Sequence, residues 1–480
     1  MAERRPAFSA PRLPRRDGQG NAGQGNAGIA SLLGRFAGRL AGAELPVRLR
    51  AFDGSESGPA AAPAIVLRSR MALRRLLWSP NELGLADAFV TGAIDVEGDL
   101  TEVMRLMREL TRQRTSKQRG RTRASLSPAD LLRAAALAVR AGAAGPRPPV
   151  PAGRARLTGR PHSRHRDRAA IAHHYDVSNE FYRLLLDPAM TYSCAYWTGR
   201  EDGPTLEQAQ RDKLDLVCAK LAIEPGTRLL DVGCGWGSLV EHAARYYGAQ
   251  VTGVTLSDQQ AAFARGRLAD ADLSGTTEIR LADYRDIDDG PYEAIAVIEM
   301  GEHVGQAGYS AFAARLRELL APGGRLLIQQ MSRSKSAPGG GAFISSYIAP
   351  DMYMRPLSAT LALLEDAGLE IRGVQALREH YVTTFRTWLA TLEDRFGDAV
   401  DLIGEEAARV WRLFLAGGAL AFEDGTTGVD QVLAVPALPL QPRAWPREPG
   451  TGLSQPGARL AGARPASGHP TPSPAPPAPG

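Results

Sequence analysis

The sequence predicts an α/β protein in which a doubly wound, Rossmann-like domain follows a small α+β domain, with a disordered tail at each end. Three observations support this architecture. Apolar strand candidates alternate with amphipathic helices between residues 169 and 436, which is the pattern of βαβ units. A glycine-rich turn follows the first of those strands. The length of 480 residues exceeds what one hydrophobic core usually organises, so two domains are expected.

The two ends of the chain have the composition of disordered segments. Residues 1–30 are rich in Gly, Arg, Pro and Asn, and residues 437–480 combine many prolines with few large apolar side chains. The basic residues near the N-terminus are not followed by an apolar run, so a secretory signal is not expected. Because no apolar run reaches about 18 residues, no transmembrane helix is expected either.

Residues 31–110 have the pattern of a small α+β domain. Strands are predicted over 45–52 and 64–70, where apolar and polar residues alternate, and a short strand within 91–100. A helix is predicted over 79–90, because the Ser-Pro pair at its start supplies an N-cap and a first-turn proline.

Residues 111–168 form a basic connector. They hold fifteen Lys and Arg but only two Asp, about +13, which leaves −8 for the rest of a chain whose total is +5. The connector is either a solvated linker or a segment attracted to a polyanion, such as nucleic acid or an anionic bilayer. It has no aromatic residues to stack on bases, which disfavours single-stranded nucleic acid. A helix is predicted over 131–141, with Arg133 and Arg140 on one face. This helix either lies on a membrane surface or joins the two domains, and the second role is slightly favoured.

The large domain, residues 169–436, shows repeated strand–helix alternation. Strands are predicted over 228–232, 250–255, 278–282, 294–299 and 325–331, and helices over 238–247, 257–269 and 309–320. In a doubly wound sheet, ligands bind in the crevice beyond the C-terminal ends of the strands. Residues at these ends are therefore the candidates for function.

The first predicted strand ends at Asp231, and glycines follow at the alternate positions Gly233, Gly235 and Gly237. Glycine permits a tight turn and leaves no side chain between the backbone and a ligand. The spacing Gly-x-Gly-x-Gly differs from the Gly-x-Gly-x-x-Gly of dinucleotide-binding folds. It is the spacing found in enzymes that use S-adenosylmethionine, so the turn favours a methyltransferase.

The next two strand ends supply further candidates for binding a nucleoside. Polar residues after the second strand suit a ribose, while an acid and an aromatic residue after the third suit the amino group and the ring of adenine. An ordinary surface turn is the alternative interpretation. The candidates are Thr255, Ser257, Gln260, Asp283 and Tyr284.

The fourth predicted strand runs into Glu299, Glu302 and His303. Charged groups at this point should face the crevice, because an unpaired buried charge is costly. The alternative is that the two acids stabilise the N-terminus of the next helix.

Polar aromatic clusters at 172–182 and 190–197 suit a lid over a cofactor, although packing in the core is an alternative role. The first cluster contains paired histidines without a third ligand at a clear spacing, so no metal site is predicted. The three cysteines have neither metal-site nor disulfide spacing, which favours a reducing cytoplasm. Cys194 by itself is typical of a buried apolar residue.

These segments together resemble the cyclopropane-fatty-acyl-phospholipid synthases, including the mycolic-acid cyclopropane synthases. The matching motifs occur in the family's order over residues 170–436: His-His-Tyr-Asp, Tyr-Ser-Cys-Ala-Tyr-Trp, Asp-Val-Gly-Cys-Gly-Trp-Gly, Thr-Leu-Ser, Glu-His-Val-Gly and Ser-Tyr-Ile-x-Pro. Weaker similarity at 82–90 and 95–100 extends to the N-terminal domain of the long members. The resemblance implies a class I methyltransferase fold.

The resemblance implies that S-adenosylmethionine donates a methyl group to the cis double bond of an unsaturated acyl chain of a phospholipid. A carbocation results, and a base must then remove a proton. By the family pattern, the donor would be held by Tyr192, Ser193, Asp231, Gly233, Cys234, Gly235, Gly237, Thr255, Leu256, Ser257, Gln260, Asp283 and Tyr284.

Family members hold a bicarbonate ion as the base. The resemblance places three of its four side-chain positions at Cys194, Glu302 and Tyr381. The fourth, a histidine in the family, is Gln329 here, which can donate a hydrogen bond but cannot take a proton. A second departure is Gly301, where the family commonly has Phe, and it removes an aromatic wall.

Closure of a cyclopropane ring is the expected outcome. The alternatives are an exomethylene chain or, with a separate reductase, a mid-chain methyl branch; N-methylation of a small amine; and a lipid-binding protein without catalysis. The expected partners are an anionic phospholipid surface and the acyl substrate, with no nucleic acid, and the long family members imply a homodimer. The expected location is the cytoplasm, at the inner face of the plasma membrane.

Overall fold

The computed structural model describes residues 28–117, 128–175, 178–199, 203–334 and 339–437. The chain divides into two compact units, Met1–Pro149 and Val150–Gly480. The predicted tails lie almost wholly outside the described residues, but residues 29 and 30 already belong to the first helix.

The first unit combines a small sheet with helices, as the sequence predicts. Its helices are α1 (Ile29–Ala41), α2 (Arg70–Trp78), α3 (Glu82–Val90), α4 (Leu100–Lys117) and α5 (Pro128–Arg140). Its strands are β1 (Arg48–Arg50), β2 (Glu56–Ser57), β3 (Ala64–Leu67) and β4 (Ile94–Glu97). The sheet order is β2-β1-β3-β4, in which β1 and β3 are parallel and the other pairs are antiparallel.

The helix predicted over 79–90 begins later than expected, at Glu82. Its N-cap is Asn81, whose side chain accepts a hydrogen bond from the Gly84 N–H at 3.1 Å. The Ser79 hydroxyl donates to the Asn81 amide oxygen instead of capping a helix itself. Asn is as good an N-cap as Ser, so the residue nearer to the apolar helical run takes that position.

The structure divides the predicted connector, 111–168, between the two units. Helix α4 continues to Lys117, and α5 packs in the first unit against α2, with Ala138 of α5 and Ala141 just after it both buried. From Val150 onward the chain belongs to the second unit. The physical reason is that the alanine-rich part of this segment presents small apolar side chains that can be buried, despite the surrounding charge.

The second unit contains a seven-stranded sheet flanked by helices. The helices are α6 (Arg164–Tyr175), α7 (Asn179–Leu185), α8 (Leu206–Leu221), α9 (Ser238–Tyr247), α10 (Asp258–Asp270), α11 (Gly305–Leu319), α12 (Leu357–Asp366), α13 (Arg378–Asp394), α14 (Phe396–Ile403) and α15 (Glu405–Glu423), with short 3-10 or π turns at Tyr284–Asp286, Gly301–His303 and Ile344–Ile348. The strands are β5 (Arg228–Val232), β6 (Gln250–Thr255), β7 (Thr277–Leu281), β8 (Tyr292–Ile298), β9 (Leu320–Arg333), β10 (Leu369–Ala376) and β11 (Thr427–Pro436).

The sheet order is β10-β11-β9-β8-β5-β6-β7, and only β11 runs antiparallel to its neighbours. This confirms the predicted doubly wound α/β fold. Strand β5 alternates between two cores, because Leu229 packs on one face of the sheet while Leu230 and Val232 pack on the other. Strands β5 and β6 have the predicted bounds, β7 to β9 overlap theirs, and β10 and β11 were not predicted.

The order of the strands reverses at β5, since β6 and β7 lie on one side of it and β8 and β9 on the other. A crevice therefore opens between the C-terminal ends of β5 and β8. Within the described ranges, no helix is long and apolar enough to cross a bilayer.

Candidate active site

A cleft of about 1430 Å³, part of it open to solvent, lies beyond the C-terminal ends of β5, β6, β7 and β8. Eleven of the thirteen predicted cofactor-binding residues line it: Tyr192, Ser193, Asp231, Gly233, Cys234, Gly235, Thr255, Leu256, Gln260, Asp283 and Tyr284. The other two, Gly237 and Ser257, do not line the cleft but begin helices next to it. Gly237 is the N-cap of α9, and the Ser257 hydroxyl caps α10 by accepting the Gln260 N–H at 3.2 Å.

The glycine turn after β5 exposes bare backbone to the cleft. Gly233 and Gly235 have φ angles of 85° and 54°, in the left-handed region that favours glycine. A Cβ on Gly233 would lie 2.8 Å from the Met300 side chain, so that position has no room for one. A Cβ on Gly235 would meet no atom within 4 Å, because this residue faces open space.

At the base of the turn, Asp231 is a buried acid with an unsatisfied acceptor. It is 2% exposed, and its Oδ1 has no hydrogen-bond partner among the described residues. Burial raises the pKa of Asp231 to about 7, although the charge of Lys213 opposes the rise. An unpaired buried acceptor of this kind indicates that a ligand supplies its partner, either a positive group or a hydrogen-bond donor.

Lys213 on α8 is a second buried charge beside the cleft. Its Nζ donates to Ser193 Oγ at 2.9 Å, and it is 1% exposed. Gln210, one turn earlier, donates to the carbonyl oxygens of Thr191 (3.1 Å) and Ser193 (2.9 Å). The two α8 side chains therefore hold the 191–193 segment in place against the cleft.

The ends of β6 and β7 are already partly paired within the protein. Thr255 Oγ1 donates to Gln260 Oε1 at 2.8 Å, which fixes the polar edge after β6. Burial alone would raise the pKa of Asp283, but hydrogen bonds from Arg285 outweigh it and lower the pKa. The Tyr284 ring packs edge-on against Phe312 with centroids 5.0 Å apart.

Three of the four predicted catalytic residues converge on the carboxylate of Glu299, an acid that the sequence placed at the crevice without a catalytic role. Its Oε1 accepts the Cys194 backbone N–H at 2.9 Å and the Gln329 Nε2–H at 2.7 Å. Its Oε2 accepts the Tyr381 hydroxyl at 2.6 Å. Three of the four predicted positions are thus joined through one acid that also lines the cleft.

Glu302, the fourth predicted position, lies behind the cleft. It is fully buried and is not among the lining residues. Its Oε1 accepts the Met331 N–H at 2.5 Å, and its Oε2 has no partner among the described residues. Burial, reinforced by the nearby charge of Glu299, raises the pKa of Glu302 to about 8.

Cys194 contributes its backbone and not its thiol. The side chain is fully buried, with its Sγ 3.3 Å from the Ala195 carbonyl oxygen. Burial holds the pKa of the Cys194 thiol well above its ordinary value. The thiol therefore stays protonated, and the N–H is the group offered to Glu299.

The absence of Phe at position 301 has a steric explanation. A Cβ on Gly301 would lie 2.5 Å from Gln330 Oε1 and 3.3 Å from the Tyr309 ring. Tyr309 donates to the same Gln330 oxygen at 2.6 Å, and the Arg355 guanidinium lies 3.7 Å from its ring centroid. The space beside Gly301 is therefore filled by a neighbouring aromatic network.

Aromatic side chains also line the cleft. Tyr175, Tyr192 and Trp236 all contribute to the lining, and the Tyr175 ring meets the other two edge-on at 6.2 and 6.0 Å. The predicted lid segment thus reaches the cleft through Tyr175. His162 and Asp167, from the predicted connector, line it as well.

Comparison with known proteins identifies the family. The family model described as mycolic acid cyclopropane synthetase matches residues 162–432, more than half of the chain.

The chain belongs to this family.

A probable fatty acid methyltransferase from Pseudomonas putida is 36% identical over 399 residues, covering 82% of this chain and 92% of its own. A probable fatty acid methyltransferase from Mycobacterium tuberculosis is 36% identical over 409 residues, covering 84% and 94%. Among solved structures, mycolic acid cyclopropane synthase CmaA1, complexed with SAH and CTAB, is 33% identical with a TM-score of 0.53, covering 56% of this chain and 97% of that one.

This family member is an enzyme that uses S-adenosylmethionine to methylate lipid substrates at double bonds. Two features of the cleft fit that cofactor. The unsatisfied Asp231 oxygen can accept a hydrogen bond from its ammonium group, and the bare backbone at Gly235 leaves room for the nucleoside.

The sequence placed Glu299 at the crevice but gave it no catalytic role, and it missed Lys213 altogether. Glu299 was visible as the first acid after β8, but the family motif drew attention to Glu302 instead. Lys213 carries no signal, since it is one of several charged residues along α8 and only tertiary packing shows that it is buried.

Proposed function

We propose that this enzyme transfers a methyl group to the cis double bond of an unsaturated acyl chain carried by a phospholipid and closes a cyclopropane ring. The observation that supports this best is the Glu299 carboxylate, which is held by three donors and faces the same cleft as the glycine turn. A base beside the methyl donor is what proton removal from a methylated alkene requires.

The cofactor, when bound, supplies an electrophilic methyl group. An alkene is a poor nucleophile, so the protein must hold the double bond in line with that methyl group and exclude water. Apolar side chains at Ile171, Ile298, Met300, Val304 and Pro350 line the cleft and suit an acyl chain. A small amine would have no need of them.

The positive charge that develops on the acyl chain must be stabilised without being trapped by water. Tyr175, Tyr192 and Trp236 present ring faces or edges to the cleft, and Glu299 adds a negative charge. Aromatic faces attract cations more strongly when both are desolvated, and fixed charges act more strongly in a water-poor site.

The test is mass spectrometry of membrane phospholipids from a host that expresses the enzyme. Unsaturated chains should gain one CH2, and fragmentation should place the new carbon across the former double bond as a ring. A methylene or a methyl branch at that carbon would instead establish the alternative product. Unchanged acyl chains together with a methylated amine would refute the lipid assignment.

We further propose that α5 docks the enzyme on an anionic membrane. Leu132 and Val139 are 73% and 67% exposed and lie seven residues apart, hence on one face, next to Arg133 and Arg140. Exposed apolar side chains flanked by basic ones are typical of helices that lie in the bilayer interface.

Sedimentation with vesicles that contain anionic lipid tests the docking proposal. The double variant Leu132→Asp, Val139→Asp should bind vesicles several-fold more weakly, and added salt should weaken binding of the wild type. Leu402→Asp is the control, because Leu402 is an exposed apolar residue on a different helix, α14. Equal binding by all three proteins would contradict the proposal.

A further inference from the structure

Glu299 occupies the point at which the family resemblance places a bicarbonate ion. Its donors come from three separate elements: the segment before α8 (Cys194), strand β9 (Gln329) and helix α13 (Tyr381). We propose that the Glu299 carboxylate is itself the proton acceptor of the reaction and that this enzyme needs no bicarbonate. This inference rests on the proposed function.

A carboxylate and a bicarbonate ion present the same planar pair of acceptor oxygens. Here Glu299 already takes two donors on Oε1 and one on Oε2, so these groups are not available to a second anion. A bicarbonate ion in the same place would also lie against a like charge, which raises the cost of binding it. The three donors therefore serve the side chain.

The orientation of the Gln329 amide is fixed by a chain of donors that starts at Lys220. The Lys220 ammonium can only donate, and it donates to Gln431 Oε1 at 2.6 Å. Gln431 then donates through Nε2 to Gln329 Oε1 at 2.8 Å, which leaves the Gln329 Nε2 to donate to Glu299. This relay orients the Gln329 amide so that its N–H group, and not its oxygen, faces Glu299.

The backbone of Glu299 supports the same interpretation. Its φ angle is 54°, in the left-handed region that a glutamate rarely adopts. Strain of this kind persists only where the surroundings impose it, and it occurs often at functional sites. The strained turn directs the carboxylate into the cleft beside Met300 and Ile298 and thereby gives it access to the acyl chain.

The reaction consists of methyl transfer, proton removal and ring closure. The π pair of the alkene forms a bond to the methyl carbon as the bond from that carbon to sulfur breaks, leaving a neutral thioether and a cation on the adjacent acyl carbon. Glu299 takes one proton from the transferred methyl group, and the released C–H pair closes the ring onto the cationic carbon. The proton then leaves Glu299 for solvent, which regenerates the carboxylate.

Two substitutions at this position test the proposal in full-length enzyme. Glu299→Gln keeps the shape but cannot accept the proton, so turnover should fall by about 10²- to 10⁴-fold. Glu299→Gly relieves the left-handed backbone strain and leaves a space of carboxylate size, so it should fold well and be equally slow. Added bicarbonate should restore turnover of the Gly variant by about tenfold or more, with no effect on the wild type.

Calorimetric titration with S-adenosylhomocysteine shows whether each variant keeps its cofactor site, and the affinity should change less than about threefold. Glu293→Gln is the control, since Glu293 is an exposed acid on the same strand, β8. Wild-type turnover that depends on bicarbonate in carbon dioxide-free buffer would overturn the proposal. So would a Glu299→Gln variant that turns over normally. Neither result affects the lipid assignment, which depends on product analysis alone.

Discussion

We expect Asp231 to lower the free energy of unfolding of the cofactor-free protein and to raise its affinity for the cofactor. The substitution Asp231→Asn separates these two effects. The side chain is 2% exposed, and its Oδ1 has no hydrogen-bond partner in the described part of the chain. Burial raises its pKa from the ordinary value of 3.8 to about 7. The ionised acid is therefore held in surroundings that disfavour its charge.

The sign of the effect follows from linkage. Because the pKa of Asp231 is higher in the folded than in the unfolded state, the penalty is absent below 3.8, grows with rising pH and is complete above about 7. A pKa raised from 3.8 to about 7 corresponds to about 4 kcal/mol. A buried amide and a buried neutral acid have similar desolvation costs, so Asp231→Asn should raise the free energy of unfolding by up to about 4 kcal/mol above pH ~7.

The assay is denaturation of the cofactor-free protein over a series of pH values, beside calorimetry with S-adenosylhomocysteine. The stability of the wild type should fall relative to that of Asp231→Asn as the pH rises through this range. The affinity of the variant should be about tenfold to a hundredfold weaker, because a hydrogen bond to a charged group is lost. Asp270→Asn, at an exposed acid near the end of α10, is the control.

Two results would refute this reasoning. If the pH profiles of wild type and Asp231→Asn run parallel, Asp231 is not a buried acid of raised pKa. If the affinity for S-adenosylhomocysteine is unchanged, the unsatisfied oxygen does not contact the cofactor.

Three other substitutions test the rest of the site. Lys213→Met should weaken binding of S-adenosylhomocysteine by about tenfold in calorimetry, because the ammonium that holds the 191–193 segment is lost; unchanged binding would remove it from the site. Gln329→His should change the ratio of ring to methylene product in lipid analysis, because imidazole can take a proton and an amide cannot, and a constant ratio would show that this position does not steer proton loss. In single-turnover assays, Glu302→Gln should react at least about tenfold faster than Glu299→Gln. The raised pKa of Glu302 keeps that group mostly neutral, so an amide is a close replacement for it. Equal losses would place both acids at the reacting carbon.

The sequence alone determined the features that depend on local pattern. Strands β5 and β6 and helix α9 have the bounds that periodicity predicts, because an apolar strand followed by a glycine turn specifies its own conformation. The rule that ligands bind at the C-terminal strand ends pointed to Asp231, the glycine turn and the polar residues after β6 and β7, and most of these line one cleft. The family motifs added Tyr192, Ser193, Cys234 and Leu256, which line it as well. The family could also be inferred, since its motifs are contiguous stretches of sequence.

Only the tertiary structure decided which acid the catalytic positions share. The donors to Glu299 lie 105, 30 and 82 positions away in the chain, and no local pattern records that they meet. Glu299 and Glu302 are three residues apart and chemically identical. Yet a left-handed φ turns one into the cleft, and the 3-10 turn that follows buries the other. The role of an acid depends on which groups surround it, and packing of distant segments sets those surroundings.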